Sequence, residues 1–130
     1  MGLLAAPALM QGCGATKYLN ASIENSDMIV PLDAFAGKDN HSFRSYVVIE
    51  NEILQFPICV YRISSEEYKA LWMQCTHQGN ELQVFGDMLQ CPAHGSEFTR
   101  TGAVQNGPAD MSLKTFPVTI ANDKLMISLK

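Results

Sequence analysis

A chain of 130 residues, 47% of them hydrophobic and 17% charged, is long enough to bury one core and has the make-up of a globular domain. The formal charge is −4 and the nine Lys and Arg are scattered singly, so no basic stripe is available to nucleic acid. Four cysteines are too sparse for a disulfide-stapled miniprotein.

Residues 2–10 are small and apolar and end at Gln11-Gly12-Cys13-Gly14. The run is far shorter than the roughly 20 apolar residues that cross a bilayer. It reads as the end of a signal h-region with a cleavage site. Leu9 to Cys13 resembles a bacterial lipobox, in which Cys13 would carry a lipid and tether the chain to a membrane. Gln11 is bulkier than usual there, and no Lys or Arg precedes the run, so a basic n-region is expected upstream of Met1. The plain alternative is an apolar tail with a free thiol. Residues 14–27 are polar and read as a linker. The expected organisation is 1–27 as signal remnant and linker, and 28–130 as the domain.

From Met28 the pattern is one of strands. Met28 to Leu32 is short, and Pro31 predicts an edge position. Ala36 to Ser42 is a loop. Ser45 to Glu50 and Ile53 to Ile63 form a hairpin across Asn51-Glu52. Ser64 to Glu67 reads as an N-cap or as a polar turn into Tyr68 to Gln74, the strand that delivers Cys75. Leu82 to Phe85 and Met88 to Gln90 form a second hairpin, which delivers Cys91. Glu97 to Val104 follows, then a turn at Asn106 to Pro108. Leu113 to Ile120 and Lys124 to Leu129 make the last hairpin. No stretch keeps a helical period, so the fold class is all-β, with layered antiparallel sheets. Cys59, Trp72 and the seven methionines read as core filling, and His41 as a surface residue.

The chemistry concentrates in two loops, Cys75-Thr-His77-Gln-Gly79 and Cys91-Pro-Ala-His94-Gly95-Ser96. Two thiolates and two imidazoles suit a structural zinc or a [2Fe–2S] cluster. Zinc knuckles usually offer like ligands, whereas each loop here mixes the two types. A mixed pair matches a cluster whose irons differ, with Cys75 and Cys91 on one iron and His77 and His94 on the other. Neutral imidazoles in place of two thiolates make the reduced state less costly and place such centres at roughly −150 to +300 mV. Gly79 and Gly95 let backbone N–H groups turn toward sulfur, Pro92 stiffens the second loop, and Ser96 offers a hydroxyl. Gly107-Pro108-Ala109 could close over both loops.

The paired motif resembles that of the Rieske iron–sulfur proteins, over about Trp72 to Ala109. The resemblance implies a three-layered antiparallel fold with one [2Fe–2S] cluster at the tip of a small subdomain. It implies that His77 and His94 lie near the surface, where redox partners dock, and that Pro108 belongs to a proline loop. Quinol-oxidising members carry an extra cysteine in each loop, and these pair. The corresponding residues here are Asn80 and Ala93, so no such bridge forms. A tyrosine that often follows the serine is Phe98 here, while Ser96 is kept.

Three functions follow from this reading. The first is a one-electron carrier in the periplasm or cell envelope, serving a larger redox enzyme. The second is a cytoplasmic ferredoxin feeding a ring-hydroxylating dioxygenase, and the third is a zinc-stabilised binding module. A stand-alone oxygenase is not expected. Once the four loop ligands are assigned, only His41 remains of three histidines, too few for a 2-His-1-carboxylate iron site.

Overall fold

The fold is seen in a computed structural model that describes residues 16–39 and 41–130. Cys13 and the lipobox-like run lie outside the described residues. Among the described residues, thirteen strands build three sheets, as the all-β reading expects. The first holds β1 (Tyr18–Asn20), β4 (Tyr46–Glu50), β5 (Ile58–Ser64), β6 (Glu67–Trp72) and β11 (Thr115–Phe116), in the order β1-β4-β5-β6-β11. The second has the order β12-β13-β3-β2, with β2 (Ser22–Glu24), β3 (Asp27–Pro31), β12 (Val118–Ala121) and β13 (Lys124–Ser128). The third, β10-β9-β8-β7, comprises β7 (Gln83–Phe85), β8 (Met88–Gln90), β9 (Glu97–Thr99) and β10 (Val104–Asn106). Neighbours are antiparallel except β1 and β4, which are parallel.

The first sheet is the middle layer, and the two-residue period of its strands shows why. Ile58 and Val60 face a core shared with Met28, Val30, Leu125 and Ile127 of the second sheet. Cys59 and Tyr61, on the opposite face, join Leu89, Phe98, Cys75 and Cys91. A strand buried on both faces reads as a continuous apolar run, which is how Ile58-Cys-Val-Tyr looks in the sequence. The third sheet thus rides on one face of the middle layer and carries the loops that hold Cys75 and Cys91.

Several sequence expectations need correction. Residues 18–24, read as linker, supply β1 and β2, which pair with β4 and β3. They are too short to signal themselves and gain order from their neighbours. Pro31 does not mark an edge strand, because β3 lies between β2 and β13. It ends β3, beyond the reach of β2, which pairs only with Asp27 to Ile29, so its missing N–H is not needed. The first hairpin turns over residues 51–57, not Asn51-Glu52 alone. Asn51 accepts the Ile53 N–H on its side-chain oxygen, and Pro57 precedes β5. Ser64 to Glu67 is a hairpin turn in which Ser64 Oγ accepts the Glu66 N–H. Glu97 to Val104 divides into β9 and β10 around Gly102, and Pro117 separates β11 from β12. Of the methionines, Met28 and Met73 are buried but Met111 is exposed. Trp72 is half-buried rather than enclosed.

Candidate metal centre

The two loops have the same backbone design. Cys75 N–H donates to Asn80 O at 2.8 Å, and Cys91 N–H to Ser96 O at 2.8 Å. Gly79 N–H returns to Cys75 O at 2.9 Å, and Gly95 N–H to Cys91 O at 2.9 Å. Both glycines hold the left-handed conformation, with φ +81° and +83°, which an L side chain rarely adopts. The glycine N–H groups thus serve the cysteine carbonyls. The N–H aimed at sulfur is that of His77, 3.5 Å from Cys75 Sγ.

This folding sorts the four side chains by depth. Cys75 and Cys91 are buried and not in a disulfide, while His77 and His94 are exposed. The imidazoles stand edge to face, with ring centroids 5.3 Å apart. Thiols at the floor and imidazoles at the rim give a site with a dry side and a wet side.

A third loop, between β10 and β11, closes against both. Thr76 Oγ1 donates to Met111 O at 2.7 Å, tying it to the first loop. Ser96, fully buried, accepts the Ala109 N–H on Oγ at 3.0 Å, tying it to the second. With that oxygen already accepting, the hydroxyl still has a hydrogen to give. The lid expected at Gly107 to Ala109 is therefore held by Ala109 and Met111, with Pro108 exposed. Sequence reasoning missed Thr76 and Met111, since neither carries a local signal for a partner thirty-five residues away. Phe98 is buried beneath the second loop, and Asn80 and Ala93 are exposed. His41 is exposed in the loop before β4.

The donor set fits a two-iron cluster. Among the described residues, no three His, Cys, Asp or Glu side chains converge to enclose one ion. A structural zinc site needs four such donors about one point. A Rieske-type cluster asks for two thiolates at one iron and two imidazoles at the other, which is how depth divides these four.

Comparison with known proteins supports the same cofactor. The model of the Rieske [2Fe-2S] domain matches residues 38–117. The cytochrome b6-f complex iron-sulfur subunit of Chlorobaculum tepidum is 35% identical over 57 residues, 42% of this chain and 32% of that protein. The chain spans about a third of the length of the curated relatives it matches. Among solved structures, the plasma membrane Rieske protein PetC3 of Synechocystis PCC 6803 is 25% identical, covering 65% of this chain and 87% of that one, with a TM-score of 0.56. A ferredoxin of Sphingomonas yanoikuyae B1 is 26% identical, covering 77% and 94%, with a TM-score of 0.54.

Proposed function

The chain belongs to the Rieske [2Fe–2S] domain family, and on that premise we propose that it is a one-electron carrier whose cluster is held by Cys75, Cys91, His77 and His94. When bound, the cluster takes up one electron and returns it. The observation that carries the reading is the pair of exposed imidazoles, 5.3 Å apart, over two buried thiols. Cys75 and Cys91 keep one side of the site out of water. His77 and His94 form the other side and offer a redox partner the shortest approach. The His77 N–H at Cys75 Sγ draws negative charge from that sulfur, and the spare hydrogen of Ser96 would do the same if directed at a sulfur of the bound cluster; both effects raise the potential. Gly79, Gly95 and Pro108 shape the loops around these groups. Absorption and EPR spectra of the reduced protein test the assignment. A colourless protein containing zinc but no iron or sulfide would overturn it.

We place this carrier in the cell envelope, beside a larger redox enzyme. Support comes from the likeness to a plasma membrane Rieske protein, and from the lipobox-like residues up to Cys13. A second reading, a cytoplasmic ferredoxin for an oxygenase, draws on Asn80, Ala93 and Phe98 and on the likeness to the Sphingomonas yanoikuyae B1 ferredoxin. Fractionation separates them, because an unlipidated protein found wholly in the cytoplasm excludes the first.

A further inference from the structure

We propose that Trp72 and Gln74 brace the first ligand loop, positioning residues 75–80 where no disulfide can tie the two loops together. The inference rests on the assignment of Cys75 and His77 as ligands. The residues that would supply a bridge are Asn80 and Ala93, both exposed and neither a thiol. Besides the Thr76 strap to Met111, the geometry points to the two residues that lead into the first loop.

Trp72, the last residue of β6, has its ring set between two others. Its centroid is 5.6 Å from Phe56 and 5.8 Å from Phe116, each at 72° between planes. From this fixed position the indole Nε1–H donates to Gln74 Oε1 at 2.9 Å. That bond decides which way the amide faces, because only its oxygen can accept. The amide nitrogen is then turned under the loop, 3.2 Å from where a Cβ on Gly79 would stand. Gly79 itself donates its N–H to Cys75 O. The backbone of Gln74 also bridges to Glu81, across the mouth of the loop. One residue thus meets both ends of the loop, its main chain paired with Glu81 and its amide packed close to Gly79.

The second loop has no such support. Gln90 occupies the same place before Cys91, but its amide lies 3.4 Å from Glu97 Oε2 along the sheet. Among the described residues, apart from its chain neighbours, no atom comes within 4 Å of where a Cβ on Gly95 would be. That loop is held through Ser96 and Ala109 instead. The two loops therefore share a backbone design and differ in what anchors them.

The test uses the full, iron-loaded chain with Trp72→Phe, Gln74→Ala and the double variant. Phenylalanine keeps an aromatic ring against Phe56 and Phe116 but has no N–H to give. Each single change is expected to speed hydrogen–deuterium exchange of the segment 73–82, and iron release to a chelator, by about fivefold, the factor set by one net hydrogen bond. The double variant should add little, since either change breaks the same hydrogen bond. Segment 89–98 should exchange at its original rate, which a general loss of stability would not allow. Gln74→Glu keeps an oxygen for the indole N–H and should restore slow exchange. Unchanged exchange in Trp72→Phe, or additive effects in the double variant, would overturn the brace. A chain that takes up no iron would overturn the ligand assignment, and exchange of segment 73–82 in the same purified chain would still decide the brace.

Discussion

The Ala109 N–H donates to Ser96 Oγ at 3.0 Å, and through this one bond the buried floor of the second ligand loop is joined to the loop that covers it. Ser96→Ala removes the acceptor and leaves a buried N–H unpaired, at a cost of about 1–3 kcal/mol. It also removes the hydrogen that the hydroxyl can direct at a sulfur. The variant is expected to melt earlier and to titrate at a lower reduction potential. Redox titration beside a thermal melt separates the two effects. A lower melting temperature with an unmoved potential would confine Ser96 to a structural role.

The two ligand-loop glycines are not equivalent, although their φ angles differ by only two degrees (+81° and +83°). Gly95 faces open space, so Gly95→Ala carries only the strain of a left-handed alanine, about 1–2 kcal/mol. Gly79→Ala carries the same strain and must also displace the Gln74 amide. Chemical unfolding should rank Gly79→Ala as the more costly of the two. Equal losses would mean that the Gln74 side chain yields freely.

The Thr76 hydroxyl makes the other strap, to Met111 O at 2.7 Å. Because this bond is exposed, Thr76→Val should lower stability by only about 0.5–1.5 kcal/mol. The larger consequence is local, since the third loop then loses its hold on the first. Exchange of amides 107–112 should rise while the second sheet, around β3 and β13, stays protected. If segment 107–112 exchanges no faster, the strap is a surface contact and nothing more.

How the chain announces these features differs from one to the next. The two loops were legible because each sets a cysteine and a histidine at a short spacing, Cys75-x-His77 and Cys91-x-x-His94, the four residues proposed here to hold the cluster. The strand pattern was legible wherever Val, Ile and Tyr ran together. Which face of β5 met which core was not, because a strand buried on both sides loses its alternation. Tyr18 to Asn20 and Ser22 to Glu24 were hidden for the opposite reason. Three residues carry too little pattern to outweigh their polar neighbours, and only pairing with β4 and β3 makes them strands. The straps from Thr76 and Ser96 to the third loop, and the turn of the Gln74 amide, depend on contacts that local sequence does not encode. Met111 misled because methionine is usually core, whereas here it stands exposed beside the site.

The middle sheet also predicts how stability changes with pH. Burial pushes the Cys59 thiol well above its ordinary value, and burial next to that thiol and Tyr46 does the same to the Tyr61 phenol. Tyr61 OH donates to Gly86 O at 3.2 Å, which also favours the neutral form. In the unfolded chain these groups ionise near 8.5 and 10. Above those values the unfolded chain sheds protons that the native chain keeps, so the stability present at lower pH is lost as pH rises. Once pH passes a group's unfolded value, that group lowers stability by about 1.4 kcal/mol per pH unit. Cys59→Ala leaves a small cavity whose cost does not depend on pH, and it removes the first of the two slopes. Urea unfolding at pH 7, 9 and 10 should therefore show the variant less stable at pH 7 but losing less on the way to pH 10. Parallel pH profiles would mean that Cys59 ionises in the native state, and the tight core between the first and third sheets would have to open to let it.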